Sequence, residues 1–250
     1  MSSRPAVAIF DVDCALLRED SFAVFLKVAQ RCFPRLIAGY AAAQLCSSLS
    51  GVLRIENKAT AYDLALRWII SRLSAEELAH ATDVFLDEVL QSQLRPGAID
   101  HLIQRRKAGD RILFATSAFD FYVSPLAARL GGAEVVATRT LLSPKGKILP
   151  KLDGQVCRGS EKLARVRALF AGTRRPPFVR AYASNEADFP LLAWADAGTA
   201  VNPNPALADE AAALGLAVVD WSYGAKDAPL REPRIPSMPP STTTEHSKQR

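Results

Sequence analysis

Two aspartates one residue apart, Asp11 and Asp13, directly follow the apolar run Pro5–Phe10 (PAVAIF). A run of this kind fits a buried parallel strand whose carboxyl end presents polar groups. Carboxylates at i and i+2 in the turn after such a strand can converge, because the turn need not keep strand alternation. One could then attack phosphorus as a nucleophile. The other could protonate the leaving oxygen and afterwards activate water. Three further polar clusters fall at expected strand ends or helix starts: Thr116-Ser117, Lys162, and Ser184-Asn-Glu-Ala-Asp188. A hydroxyl from Thr116 could hold a phosphoryl oxygen, and Lys162 could offset developing negative charge. A phosphorylated substrate facing carboxylates is repelled unless a cation lies between them, and Mg²⁺ suits an all-oxygen site that retains waters. Taken singly, each cluster is ordinary. A D-x-D is as often a solvated turn, Thr116-Ser117 a helix cap, Lys162 and Asp188 solvated helix charges. Their order, each at the right element boundary, makes one phosphoryl-transfer site the better reading.

The elements that would position these residues alternate. After the first strand, residues 21 to about 94 carry helical patterning: Leu64, Trp68, Ile69 and Ile70 recur at helical spacing, and Ser74-Ala-Glu-Glu opens a helix as a capping box. Helices are expected over 98–107, 122–130, 160–170 and 186–195. Strands are expected over 111–115, 134–138, 178–183, 199–201 and 216–219, with a hairpin-like turn at Lys145-Gly146. Strands alternating with helices predict an α/β fold with a doubly wound, mostly parallel sheet. The helical block after the first strand is too long for one crossover and reads as an inserted cap. The expected division is a core of residues 1–17 and 96–223, a helical cap of 18–95, and a flexible tail of 224–250 rich in Pro, Ser, Thr and Lys.

Hydrophobic residues make up 49% of the 250 and charged residues 23%, the balance of a soluble globular protein. A net charge of +5, with Lys226, Arg231, Arg234, Lys248 and Arg250 in the tail, gives no ground for a nucleic-acid partner. Four dispersed cysteines (Cys14, Cys32, Cys46, Cys157) and three histidines (His80, His101, His246) argue against a zinc site or a disulfide framework and for a reducing, cytoplasmic setting. Charged Asp11 and Asp13 arrive too early for a secretory leader. Residues 36–53 carry no charge, but Gln44, three serines and two glycines dilute their apolarity, so cap packing is expected over membrane association.

Phe10-Asp11-Val12-Asp13-Cys14-Ala15-Leu16 resembles the first motif of the haloacid dehalogenase superfamily. Residues 113–127 (LFATSAFDFYVSPLA) resemble the second, with Thr116 at its hydroxyl position. Arg158-Gly159-Ser160-Glu161-Lys162 resembles the third, and residues 182–192, with Ser184 and Asp188, the fourth. With Val201-Asn202-Pro203 the resemblance spans roughly residues 6–220 and is nearest the phosphoserine-phosphatase-like branch. It implies a phosphatase that hydrolyses a small phosphorylated substrate through an aspartyl-phosphate. Asp11 would be nucleophile and metal ligand, and Asp13 the general acid/base, its carbonyl a ligand. Thr116 and Lys162 would hold the phosphoryl group, and Asp188 would support Mg²⁺. Two positions depart from the pattern: Ala15 replaces a threonine, and Ser184 stands where a metal-binding aspartate is usual, leaving Glu186 or Asp188 to compensate. The alternatives are a weakened relative that binds a phosphorylated ligand or a protein partner, and a peripheral membrane protein using 36–53.

Overall fold

The computed structural model describes residues 6–39, 41, 58–172 and 178–224. Its centre is a six-stranded, all-parallel sheet in the order β3-β2-β1-β6-β7-β8. The strands are β1 (Ala6–Phe10), β2 (Arg111–Phe119), β3 (Glu134–Thr138), β6 (Phe178–Ala183), β7 (Ala197–Val201) and β8 (Ala217–Val219). The run VAIF places β1 at the middle, because both of its faces are apolar. Ala8 and Phe10 enter one buried cluster and Val7 and Ile9 the other, as a two-residue period requires.

Helices α4 (Pro96–Lys107), α5 (Asp120–Arg129), α6 (Ser160–Ala168), α7 (Phe189–Trp194) and α8 (Pro205–Leu214) flank the sheet. Between β1 and β2 the chain runs through α1 (Ser21–Cys32), α2 (Lys58–Trp68) and α3 (Ala75–Glu88). Asp20 caps α1 by accepting from the Phe22 and Ala23 amides, and Ser74 with Glu77 forms the expected capping box on α3. The outgoing and returning connections pair side by side. Leu17 bridges Leu94, the Arg18 amide donates to the Gln93 carbonyl at 2.8 Å, and the Arg95 amide to the Leu16 carbonyl at 3.0 Å. Beyond β3, β4 (Thr140–Leu142) and β5 (Ile148–Leu152) make an antiparallel hairpin through the Lys145-Gly146 turn, and β5 packs on α2.

Two elements differ from the sequence expectation. Strand β2 continues four residues past Ala115, its pairing with β3 shifting between Ala115 and Phe119. The helix expected over 186–195 splits into a 3₁₀ turn, Glu186–Asp188, and α7, whose Pro190 sits in the first turn where a missing amide costs nothing. Of residues 36–53, Leu36 closes a 3₁₀ turn and is buried, while most of the stretch lies outside the described residues. Among the described residues no helix is long and apolar enough to cross a membrane. The expected tail, beyond Gly224, also lies outside them.

The last described residues lie against α4. The Gly97 amide donates to the Trp221 carbonyl at 3.2 Å, and a Cβ on Gly97 would sit 2.7 Å from the Tyr223 carbonyl oxygen and 2.8 Å from Trp221 Cα. Both are backbone atoms with little room to give. Gly97→Ala is therefore expected to cost about 1–3 kcal/mol, read as a lower thermal midpoint; an unchanged midpoint would mean that 221–223 is not seated there.

Candidate active site

Asp11 is the first residue beyond β1, and its amide still follows the strand, donating to the Tyr182 carbonyl at 2.8 Å. The chain then turns tightly over Val12–Leu16, with Cys14 at φ +60°, a conformation that L side chains rarely adopt. This turn brings Asp13 back toward the sheet end, where its Oδ1 accepts the Ser21 amide at 2.9 Å. Arg95 Nε braces the turn by donating to the Cys14 carbonyl at 3.1 Å, while its Nη1 donates to Ser222 Oγ at 3.2 Å. Gly159, at φ +58°, reverses the chain into α6, and Lys162 in the first turn of that helix points into the site. Asp188 ends the turn after β6.

These residues meet. Lys162 Nζ lies 3.0 Å from Asp11 Oδ1 and 2.6 Å from Asp188 Oδ1, and the Ser184 hydroxyl donates to the Asp13 carbonyl at 3.2 Å. Asp11, Asp13, Lys162, Ser184 and Asp188 are all more than nine-tenths buried. Burial lifts the Asp11 carboxyl to about 8; Lys162 opposes that rise, and Asp188 and Asp13 add to it. Burial alone would depress the Lys162 ammonium, but Asp11 and Asp188 outweigh it and the net movement is upward, so the lysine stays charged.

The two neighbouring hydroxyls divide. Thr116 is fully buried and its Oγ1 accepts the Ala118 amide at 3.0 Å, whereas Ser117 lies on the cavity wall. Glu186, one of the two compensating ligands considered from sequence, is turned away. Its carboxylate takes the Asn204 side-chain amide and lies 3.5 Å from Arg158, and the Asn204 bond holds it below the usual range. Cys14 lines the cavity, but burial and then Asp13 and Asp11 push its thiol up to about 11, so it is no thiolate at neutral pH. His101 packs edge-on to Phe10 and Tyr182, and His80 against Phe33.

The cavity above this cluster measures about 620 Å³. Its floor carries the charges, and Ser117, Arg158 and Asn185 join them at the edge. Sequence reasoning gave these three no role. The signal for Arg158 and Asn185 was their place beside Lys162 and Ser184, and for Ser117 its place beside Thr116. The far walls come from α1 and α2 and are mainly apolar.

Two buried carboxylates, Asp11 and Asp188, share a single buried ammonium and Asp13 adds a third buried carboxylate near Asp11, an excess of negative charge that fits a divalent cation. Among the described residues no three His, Cys, Asp or Glu side chains converge as a ligand cage. The Ser184 hydroxyl and the Asp13 carbonyl, 3.2 Å apart, are further oxygens at this site that would join the carboxylates in a donor set for that cation.

The family pattern described as haloacid dehalogenase-like hydrolase matches residues 8–193. Protein CicA of Caulobacter vibrioides is 31% identical over 196 residues, spanning 78% of this chain and 86% of CicA. A Bordetella pertussis Tohama I protein of unknown function superposes with a TM-score of 0.76 at 25% identity, over 88% of this chain and all of that one. A phosphoserine phosphatase solved as a phospho-aspartyl intermediate analogue shares the fold, with a TM-score of 0.60 at 13% identity over 89% of this chain and 95% of its own. The matched span contains Asp11, Asp13, Thr116, Lys162, Ser184 and Asp188 and covers most of the sheet, and on that ground the chain belongs to the haloacid dehalogenase-like hydrolases.

Proposed function

We propose that this protein is a phosphatase that hydrolyses a small phosphomonoester through an aspartyl-phosphate on Asp11, with Mg²⁺ as its cation. The observation that carries this reading is the buried Asp11–Lys162–Asp188 cluster, on the floor of the cavity at the carboxyl end of β1. An Asp11 oxygen attacks phosphorus in line with the ester oxygen, and the P–O ester bond breaks as the O–P bond to Asp11 forms. Asp13, fixed by the Ser21 amide, hands the departing oxygen a proton and then takes one from the water that cleaves the acyl phosphate. Lys162 stays charged and offsets charge on the phosphoryl oxygens. Thr116 and Ser117 supply hydroxyls to the phosphoryl group, Ser117 being the one that lines the cavity.

The cation, when bound, neutralises the phosphate against the carboxylates and holds Asp11 ionised. Asp11, the Asp13 carbonyl and the Ser184 hydroxyl would hold it, with Asp188 supporting through Lys162. Residues 18–95 act as a cap over a core of 1–17 and 96–223, the paired connections at Leu17 and Leu94 being its attachment. Closure of such a lid excludes bulk water from the acyl phosphate.

The test is hydrolysis of p-nitrophenyl phosphate with and without Mg²⁺, in the wild type and in Asp11→Asn. Metal-dependent turnover lost in the variant supports the reading, and turnover that survives in Asp11→Asn overturns it. Ser184→Asp addresses the cation directly. It adds a carboxylate beside the Asp13 carbonyl and is expected to tighten Mg²⁺ by about tenfold or more and raise turnover at limiting metal, since carboxylate count governs hard-cation affinity. Without metal it adds a fourth buried carboxylate and should lower the thermal midpoint. A metal titration with parallel melting curves checks both, and an unchanged Mg²⁺ affinity would place the cation elsewhere.

A further inference from the structure

The cap-side wall of the cavity, as distinct from its charged floor, bears on what the phosphoryl group is attached to. That wall is formed by Phe22 and Leu26 of α1, by Tyr62, Leu64 and Ala65 of α2, and by Ile69. Phe22, Tyr62, Ala65 and Ile69 are buried, while Leu26 and Leu64 are half-buried and line the cavity. The polar groups near them already have work. Asp20 accepts the Phe22 and Ala23 amides that cap α1. Arg158 donates to Asn185 Oδ1 at 3.1 Å and lies 3.5 Å from Glu186. Lys27 reaches toward Glu19, 3.8 Å away at the exposed rim.

A leaving group bearing a carboxylate, an ammonium or several hydroxyls would be desolvated against Leu26, Leu64 and Ile69. Groups buried without partners cost more than an apolar contact returns. An apolar leaving group meets no such penalty and gains by burial.

We propose that the substrate is the phosphomonoester of an apolar alcohol, its dianionic end on the Lys162 floor and its hydrocarbon between α1 and α2. This rests on the phosphatase reading and extends it to substrate class. The cavity is of the size that ordinary small-molecule sites have.

A homologous series tests it. Ethyl, butyl and hexyl phosphate have primary alcohol leaving groups of nearly equal chemical reactivity, so a slope of kcat/KM with chain length reports the pocket. The expected rise is about two- to fourfold per methylene, with hexyl phosphate at least about tenfold better than ethyl phosphate, phosphoserine or glycerol phosphate. Leu64→Asn and, on the other helix, Leu26→Asn should each flatten the series; both side chains are half-buried, and melting curves confirm that the variants fold. A flat series in the wild type, or a preference for phosphoserine, overturns the inference while leaving the phosphatase reading intact. If no ester is hydrolysed, the phosphatase reading falls, and calorimetric binding of hexylphosphonate against ethylphosphonate then decides the pocket: tighter hexyl binding sustains the apolar wall, and equal affinities overturn it.

Discussion

Asp11→Asn is expected to lose at least about 10³-fold in phosphatase turnover, the scale on which enzymes respond to removal of a nucleophile, while gaining thermal stability in the absence of metal. The second half follows from charge balance. Asp11 and Asp188 share one ammonium, Asp13 adds a further negative charge near Asp11, and burial lifts the Asp11 carboxyl to about 8. The folded protein thus keeps a proton that the unfolded chain releases above about pH 4. A carboxyl raised in this way contributes stability that is fully present below its unfolded value and is lost as the pH climbs through about 8. An asparagine has no such slope. The advantage of Asp11→Asn should therefore be small near pH 4 and widen toward pH 8, reaching about 1–3 kcal/mol, as in other sites where function holds unfavourable charge together. Melting curves in EDTA across that range give the answer, and a difference independent of pH would show that Asp11 is not raised.

The opposite sign is expected for Lys162→Met. Methionine fills a similar volume but leaves Asp11 and Asp188 buried without their shared cation, 3.0 and 2.6 Å from where Nζ stood. Removing one partner of a buried ion cluster costs about 3–5 kcal/mol, a fall of about 10 °C or more in melting temperature for a chain of this size. Turnover should disappear as well, because no other buried lysine or arginine occurs among the described residues. Added Mg²⁺ should raise the midpoint of Lys162→Met by more than it raises that of the wild type, since it restores missing positive charge. A variant that melts with the wild type and responds to Mg²⁺ no more strongly would mean that solvent already screens the pair.

Most of the sheet could be read from the chain because its determinants are local. The run VAIF, apolar on both faces, could only be an interior parallel strand, and Asp11 had to follow it. The capping box at Ser74 marked a helix start by its own chemistry. What escaped depended on partners far away. Ser117 reaches the cavity because alternation fails along β2, where Ala118 and Phe119 enter the same apolar cluster and the pairing with β3 shifts. Nothing in LFATSAF announces that shift. Glu186 is turned aside by Asn204, and Lys162 is fixed by Asp188 as much as by Asp11. These contacts span 18, 26 and 151 residues respectively, beyond any local pattern. The apolar wall combines α1 with α2, two helices whose facing could not be told from their periodicity.

The position of β1 has a consequence for how the protein comes into being. Of the six strands of the sheet this one is synthesised first, yet both of its neighbours follow more than a hundred residues later: Ala8 pairs with Ile112 on one side and with Arg180 on the other. Until β6 emerges, the strand bearing Asp11 has at most one edge covered, and Lys162 and Asp188 are not in place to neutralise or be neutralised. Such non-local pairing slows folding and exposes an apolar strand in the interval. The earliest-made residues of the cluster are thus the last to be neutralised, and a chain interrupted before residue 188 would carry Asp11 and Lys162 without the Asp188 carboxylate that joins them.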